Sequence, residues 1–312
     1  MELVRGQHNL RPRHRGCVAT IGNFDGLHLG HRAVIAQLTE RAQALQAPAC
    51  VVTFEPHPRE LFDPANAPAR LSRLRDKITG LQALGVERVL LLRCDHALTG
   101  LSPDAFIDSI LCAGLGVRHL VVGDDFRFGR RRAGDFATLE AAGAARGFGV
   151  EAATTYALDG ERVSSTRVRG ALAGGDLDAA ARLLGGPYTL RGRVRHGEAL
   201  GRRLGYPTAN IALDERPLPL TGVLAVVAST ACGRRLPGVA NLGRRPTVEG
   251  RLPLLEVHAF DFDGDLYGAH LAVELHERLR PEERFDSLEA MTERMHDDAR
   301  RARASLARRG AM

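Results

Sequence analysis

The first half of the chain alternates short apolar runs with longer stretches in which apolar residues recur at helical spacing. The apolar runs predict β-strands over residues 18–21, 49–54, 88–92, 119–122 and 149–154. The stretches between them predict helices over residues 32–45, 73–84, 103–112 and 136–146. Strands that alternate with helices are typical of βαβ units, so this half predicts an α/β fold around a parallel sheet. Functional groups are then expected at the carboxyl ends of the strands.

The pattern changes after two short helical segments, near residues 166–173 and 177–184, where the chain reaches Gly185. Later apolar runs predict strands over residues 188–194, 223–229, 254–262 and 271–275, separated by Gly and Pro turns. This series predicts a small antiparallel β-barrel, with a terminal helix over residues 287 to about 307. We place the domain boundary after Gly185, which gives domains of residues 1–185 and 186–312.

The composition fits a two-domain protein of the cytoplasm. The 312 residues are 44% apolar and 26% charged, enough to bury a sizeable core. Residues 1–16 are rich in Arg and His without the apolar run of a signal peptide, and no segment approaches the roughly 18 apolar residues of a membrane span. The five cysteines are widely spaced and form no Cys-x-x-Cys pair. Reduced thiols are therefore expected rather than a disulfide framework or a zinc site.

The net charge of +6 suits either nucleic acid or polyphosphate substrates. The chain has no Trp, and its 11 Phe residues do not interleave with Lys and Arg as they do in an RNA-binding sheet. The sequence therefore favours small-molecule partners over nucleic acid.

Residues 22–31 combine three glycines, one aspartate and two histidines directly after a predicted strand and ahead of a helix. The glycines let backbone N–H groups approach a ligand, and the helix N-terminus favours anions. His28 and His31, three residues apart, can point to one face and stabilise charge that develops on phosphorus. The alternative is a tight turn whose histidines cap or pack. The chain contains no P-loop, so an ATP site here is of another kind.

Residues 22–31 resemble the HxGH signature of nucleotidylyltransferases, in the form found in bacterial FAD synthetases. Residues 52–58, 122–129 and 164–169 resemble later blocks of the same family, in the same order. The resemblance implies a Rossmann-like nucleotidylyltransferase domain in which His28, His31 and Arg169 are catalytic. It also implies ATP or phosphate binding by Gly22, Asn23, Phe24, Asp25, Gly26, Ser164, Ser165, Thr166 and Arg167.

The hydroxyl groups and guanidinium groups of residues 164–169, at a predicted helix start, are suited to hold departing pyrophosphate. A capped helix with solvated arginines is the alternative. Asp125 follows a predicted strand, where it is expected to line the flavin phosphate pocket or to approach Mg²⁺.

Phe62 and Phe128 are candidates to stack on the isoalloxazine ring, and a core role for each stays open.

Residues 197–210 closely resemble the riboflavin kinase signature. By that resemblance Thr208 and Asn210 bind Mg²⁺ on the ATP phosphates, since such a cation requires hard oxygen donors. Glu256 matches the catalytic glutamate that accepts the riboflavin 5′-hydroxyl proton, whereas without the resemblance it would be an ordinary strand residue. The expected ATP-binding residues of the loop are Gly197, Gly201, Arg202 and Gly205. One departure is Leu224, where the family usually shows tyrosine.

Together the resemblances cover residues from about 16 to about 303 and imply a bifunctional riboflavin kinase/FAD synthetase. Riboflavin and ATP would give FMN, and FMN with further ATP would give FAD and pyrophosphate, both with Mg²⁺. One rival is a chain with a single active half, and another is a flavin-sensing regulator that binds nucleic acid. The regulator would need a helix-turn-helix or a basic aromatic sheet, and the sequence shows neither.

Overall fold

The computed structural model describes residues 1–196, 205–213, 217–247 and 250–312, without the side chains of residues 245–247 and 250–252. Contacts divide the chain into two units, Met1–Pro68 with Ser72–Ser164 and Ala69–Leu71 with Ser165–Met312. The two helices that precede Gly185 therefore pack with the second unit. The domain boundary predicted after Gly185 stays a prediction.

A six-stranded sheet forms the centre of the first unit, in the order β1-β4-β3-β2-β5-β6, with every neighbouring pair parallel. Its strands are β1 (Glu2–Arg5), β2 (Val18–Ile21), β3 (Ala49–Glu55), β4 (Arg88–Arg93), β5 (His119–Val122) and β6 (Gly149–Ala152). The predicted parallel sheet is confirmed. Since β2 lies between β3 and β5, the chain reverses its direction of winding there, and the carboxyl ends of β2 and β5 border a crevice.

Helices cover both faces of this sheet. They are α1 (Leu29–Ala44), α2 (Pro58–Phe62), α3 (Leu74–Ala83), α4 (His96–Thr99), α5 (Pro103–Phe106, which continues as a π-helix over Ile107–Gly114) and α6 (Phe136–Arg146). Successive residues of β2 point to opposite faces of the sheet. Val18 packs with Ile35 of α1 in the core on one face, and Ala19 packs with Ile110 in the core on the other. Two short antiparallel strands, β7 (Ala157–Leu158) and β8 (Glu161–Arg162), complete the unit.

The edge strand β1 was not predicted, because it offers only two apolar residues. Buried polar contacts hold it in place. His14, only 1% exposed, bonds Glu2 of β1 through Nε2 at 3.0 Å, and Arg88 of β4 donates to the His14 carbonyl at 2.7 Å.

A closed antiparallel barrel forms the second unit, in the order β10-β13-β12-β11-β14-β9, as predicted. Its elements are α7 (Ser165–Gly174), α8 (Leu177–Leu184), β9 (Tyr188–Arg195), β10 (Ala209–Ala212), β11 (Gly222–Thr230), β12 (Arg235–Thr247), β13 (Gly250–Ala259), β14 (His270–Arg280) and α9 (Leu288–Arg308). Leu224 is fully buried in this barrel. No described helix is long and apolar enough to cross a membrane.

Strand β12 was missed because its sequence contains Pro and Gly residues that usually end strands. Within the closed barrel it pairs with β11 on one side and β13 on the other, which outweighs the local signal. Gly238 is required there, since a Cβ atom at this position would lie 2.3 Å from the His258 carbonyl oxygen.

Helix α9 is fastened to the barrel by a buried ion pair. Arg280, at the end of β14, donates to Asp298 of α9 through Nη2 at 2.7 Å and through Nε at 2.9 Å. Their side chains are only 8% and 4% exposed. Removing one partner of such a pair leaves an uncompensated charge away from water.

We therefore expect Asp298→Ala to destabilise the second unit by about 3 kcal/mol. The matched variant Asp297→Ala removes a carboxylate that is 32% exposed and pairs with Arg300 at the surface, so its expected cost is below about 1 kcal/mol. Urea unfolding followed by tyrosine fluorescence measures both, because the chain has no Trp and three of its four Tyr residues lie in the second unit. Equal losses for the two variants would contradict the importance of the buried pair.

Candidate active sites

The loop between β2 and α1 has a defined backbone shape that Asp25 maintains. Asp25 is 1% exposed, and its Oδ1 accepts hydrogen bonds from the backbone N–H of Ser72 at 3.0 Å and the Ser72 hydroxyl at 3.2 Å. The same hydroxyl accepts from the Gly26 N–H at 3.1 Å. Phe24 and Gly26 have φ values of 47° and 86°, in the left-handed region that suits glycine. Ser72 thus fixes the loop through Asp25, so ligand binding by Asp25 itself stays a prediction.

The two histidines of the loop lie together, as the sequence predicts. Their rings stack with centroids 3.7 Å apart, and His28 is 4% exposed. His28 also caps α1, because its Nδ1 accepts from the backbone N–H of His31 at 3.3 Å. This cap starts the helix at Leu29, three residues before the predicted position. Both the capping and the phosphate-binding interpretations are therefore compatible with this geometry.

A glycine lets the segment before Ser164 approach the histidines. A Cβ atom on Gly30 would lie 2.9 Å from the Val163 carbonyl oxygen and 3.1 Å from His28 Nδ1. Only glycine fits here, and the fit brings residues 163–164 against the start of α1. Ser164, the first residue of the predicted phosphate-binding segment, directly follows this contact.

Asn23 contributes a candidate ligand-binding atom. Its side-chain Oδ1 is buried and makes no hydrogen bond within the part of the chain that the structure describes. A buried acceptor without a partner is costly, so a donor on a bound ligand is its natural complement.

Asp125 lies after β5, at the border of the same crevice as the His28 loop. Its carboxylate accepts two hydrogen bonds from Arg162, at 2.6 and 3.3 Å. These bonds from the guanidinium lower the pKa of Asp125. Both side chains are more than half exposed, so incoming phosphate or Mg²⁺ would compete with this ion pair.

The two phenylalanines proposed to stack on flavin occupy different environments. Phe62 is 63% exposed at the end of α2. Phe128 is 7% exposed and packs against Phe126 and Phe106, with ring centroids 5.6 and 5.5 Å away. The structure gives Phe128 a core contact and leaves Phe62 open to a ligand. Neither position tests flavin binding.

The predicted pyrophosphate segment begins α7. Ser165 is its first residue, followed by Thr166, Arg167 and Arg169. Arg169 donates through Nε to the carbonyl oxygen of Ala69 at 2.7 Å, which holds this side chain partly buried. The phosphate-binding roles of the segment stay predictions.

Glu256 lies at the centre of β13 in the barrel. Its register partners are Asn210 on β10 and Asn241 on β12, so carboxamide side chains flank the carboxylate on both sides. Asn210 is 8% exposed and donates through Nδ2 to the Thr208 carbonyl at 3.3 Å. Asn241 donates through Nδ2 to Glu282 at 3.4 Å.

Glu256 borders a cavity of about 270 Å³ between the barrel and α9. Its apolar lining includes Val223, Val239, Phe285, Met291 and Met295, and its polar lining includes Thr208, Asn241, Glu256, His258 and Glu282. Such a mixture of apolar surface and polar side chains suits an organic ligand that carries polar groups.

A second cavity of about 60 Å³ lies on the other side of β13. Val257 and Ala259 line it, whereas Glu256 and His258 line the larger cavity, as alternation along a strand requires. Thr208 lines both cavities. It therefore marks the place where ligands in the two cavities would meet. Residues 264–267 also line the smaller cavity.

Three of the predicted ATP-binding residues, Gly197, Gly201 and Arg202, lie outside the described residues. Gly205, the fourth, has φ of +80° and begins the turn that leads to Thr208. Among the described residues, no group of three or more His, Cys, Asp or Glu side chains is arranged to hold a metal ion.

Sequence reasoning did not single out Tyr206, His258 or Asn241, which all border the larger cavity. His258 follows Glu256 by two residues on a predicted strand, so alternation already indicated a shared face. Asn241 had no comparable signal, because it faces Glu256 only through the barrel register.

A parallel-sheet unit with a His-x-Gly-His loop, joined to a barrel with a glutamate-lined cavity, defines a transferase that handles nucleotide phosphates. Two family models match the chain, FAD synthetase over residues 10–167 and riboflavin kinase over residues 184–306. The chain belongs to the family of bifunctional riboflavin kinases/FMN adenylyltransferases. This confirms the family inferred from the sequence.

Similar proteins match almost the whole chain. The bifunctional riboflavin kinase/FMN adenylyltransferase of Pseudomonas fluorescens is 56% identical over 308 residues, which cover 98% of each protein. That of Escherichia coli K12 is 47% identical over 304 residues, which cover 97% of each. A crystal structure named as a macrolide-efflux protein from Streptococcus pneumoniae is similar with a TM-score of 0.80 and 27% identity, over 96% of this chain and 97% of that one.

Burial lowers the pKa of His258 below its ordinary value of 6.5. We expect this ring to stay largely neutral at pH 6.5, and its neutral burial to favour folding above that pH. That contribution is lost as the pH falls from 6.5 through the folded-state pKa. An NMR titration of the histidine ring protons, with His258→Asn to assign the resonance, measures the value. A resonance that is lost in the variant and titrates at or above 6.5 would contradict this prediction.

Proposed function

We propose that the barrel phosphorylates riboflavin with Glu256 as the base, and that the parallel-sheet unit adenylylates the resulting FMN through the loop of His28 and His31. Thr208, which lines two adjoining cavities, is the observation that carries the kinase assignment. The terminal phosphates of ATP would enter the smaller cavity, and riboflavin would occupy the larger. The γ-phosphate and the 5′-hydroxyl would then meet beside Thr208.

The charges around the larger cavity favour riboflavin over its phosphorylated product. Four carboxylates line the described part of its wall, those of Glu256, Glu282, Glu283 and Asp298. Arg280 supplies one guanidinium, which already pairs with Asp298 at 2.7 Å and Glu283 at 3.5 Å. A neutral flavin enters such a cavity without repulsion, whereas the phosphate of FMN meets carboxylates.

In the kinase step, Glu256 accepts the proton of the 5′-hydroxyl while that oxygen bonds to the γ-phosphorus of ATP, and ADP leaves. Asn210 and Asn241 are the register partners of Glu256, and the two paired ladders fix where the backbone of Glu256 lies. Positioning of this kind is the main contribution that a protein makes to phosphoryl transfer.

The donor set near Thr208 fits Mg²⁺. The Asn210 side chain donates its amide N–H to the Thr208 carbonyl, so the Asn210 Oδ1 points away from that carbonyl. The Thr208 hydroxyl is a second hard oxygen. Two protein oxygens together with ATP phosphates are a usual set for Mg²⁺, and the bound ion would neutralise phosphate charge.

In the adenylyl step, an oxygen of the FMN phosphate bonds to the α-phosphorus of a second ATP and pyrophosphate leaves. The nucleophile is already ionised at neutral pH, so no base is needed. Charge neutralisation would come from His28 and His31, with Arg167 and Arg169 holding pyrophosphate. The stacking of His31 on the buried His28 and the contact of Gly30 with the Val163 carbonyl support this assignment.

The cytoplasm is the proposed location. All five cysteines are free thiols, two of them, Cys17 and Cys50, fully buried, as suits a reducing compartment.

Glu256→Gln is expected to lower the rate of FMN formation by about 10²- to 10⁴-fold, because the proton acceptor is lost while the shape is kept. A chromatographic time course with riboflavin, ATP and Mg²⁺ measures FMN. FAD formation from supplied FMN should match the parent. The control Glu274→Gln changes a carboxylate of β14 that pairs with Arg235 and His276, and both activities should persist. Unchanged FMN formation by Glu256→Gln would remove Glu256 from its proposed role.

The double variant His28→Ala/His31→Ala is expected to lower FAD formation by about 10²- to 10³-fold, because two groups that stabilise charge on the α-phosphate are lost. FMN should then accumulate from riboflavin at the parent rate. The matched double variant His8→Ala/His96→Ala removes two exposed histidines of the same unit and should leave both activities intact. FAD formation at the parent rate by the first variant would refute the assignment, and circular dichroism verifies its fold.

A further inference from the structure

The short turn from Gly205 to Thr208 is fastened to the barrel by a hydrogen bond from His258. His258 Nδ1 lies 3.0 Å from the Pro207 carbonyl oxygen. A carbonyl oxygen only accepts, so Nδ1 carries the proton and the tautomer of the ring is fixed. Since Pro207 directly precedes Thr208, this bond acts one peptide away from the residue that lines both cavities.

A second hydrogen bond holds the same turn from α9. The Tyr206 hydroxyl lies 2.5 Å from His296 Nδ1. Tyr206 is 9% exposed, and burial raises its pKa, so the hydroxyl keeps its proton. The Tyr206 ring also meets His258 and His296 edge-on, with centroids 4.8 and 5.3 Å away. The turn is therefore held from the barrel and from the helix.

The His258 ring itself packs against two aromatic rings. Phe260 meets it edge-on at 5.9 Å, in addition to the contact with Tyr206 at 4.8 Å. Arg303 covers Phe260 at 4.0 Å and pairs with Asp261 at 2.8 Å. A donor held by its neighbours in this way is preorganised, which is what accurate placement of a reacting group requires.

Glu256 and His258 are two residues apart on β13 and line the same cavity. One strand face thus presents the proposed base and the group that holds the turn of Thr208. We propose that His258 is a positioning residue of the kinase reaction, which holds Thr208 at its working distance from Glu256 through the Pro207 carbonyl. Tyr206, bonded to His296, assists it. The inference rests on the proposed roles of Glu256 and Thr208.

The test compares His258→Phe with His258→Asn in the full-length chain. Phe keeps the aromatic packing without the donor, whereas Asn keeps an N–H donor near the place of Nδ1. We expect His258→Phe to lower kcat for FMN formation about 10- to 100-fold with KM for riboflavin within about threefold of the parent, since misplacement by an ångström has such an effect. His258→Asn is expected to recover kcat to within about fivefold of the parent.

The controls separate positioning from folding. His276→Phe alters another half-buried barrel histidine, which pairs with Glu274 on β14, and should retain parent kcat. FAD formation from supplied FMN should be unchanged in all variants, and tyrosine fluorescence verifies the barrel. If His258→Phe fails to fold, Tyr206→Phe takes its place, because it removes one hydroxyl only, and we expect kcat to fall about 3- to 10-fold.

Parent kcat for the folded donor-free variant would overturn the inference. Equal losses for His258→Phe and His258→Asn would also overturn it, since the imidazole would then act in some way other than as a donor to Pro207. Failure of the proposed role of Glu256 would give a different result. In that case Glu256→Gln would retain FMN formation, whatever the effect of the His258 variants.

Discussion

The closed register of the barrel is the constraint on which the kinase site depends. Strand β13 pairs with β10 and β12 at once, so Glu256 has Asn210 and Asn241 as partners and cannot slip along the strand without breaking both ladders. Because successive side chains alternate, the same register gives β13 one face toward each cavity. The location of Glu256, the proposed base, is therefore a property of the whole barrel, and the hydrogen-bonded ladders on both sides stabilise it.

In the parallel-sheet unit, close backbone contacts position the loop that carries His28 and His31. Strand β2 ends at the crevice, and the loop that follows is fixed by the bond between Asp25 and Ser72. Glycine at position 30 then admits the Val163 carbonyl to the start of α1. A larger residue at that position would separate two segments that both carry candidate phosphate-binding groups. Steric contacts shape the loop, and its histidines are the groups proposed to neutralise charge.

Local patterns predicted most of the fold, and two of the strands that they missed are stabilised by pairing with other strands. Helices α6 and α8 were predicted with their observed bounds, since apolar spacing and capping residues agree there. Strand β1 was missed because its partner β4 is distant in sequence. Strand β12 was missed because it contains Pro and Gly residues, although it pairs with both adjacent strands, β11 and β13. In the same way, a motif identified Glu256 as a candidate site residue, whereas only the strand pairing shows that Asn241 lies opposite it. Local sequence patterns therefore predict elements that have a strong signal of their own, whereas the pairing between strands becomes visible only in the fold.

The two reactions need opposite electrostatic surroundings, which explains why the chain uses two sites. A neutral hydroxyl must lose its proton in the first reaction, and a carboxylate suits that task. The cavity around Glu256 is accordingly lined by further carboxylates, Glu282 and Glu283 among them. In the second reaction the nucleophile is an anionic phosphate, which carboxylates repel and histidines and arginines attract. A single pocket suited to one nucleophile would therefore hinder the other, so the charge of FMN favours transfer to the separate site proposed at His28 and His31.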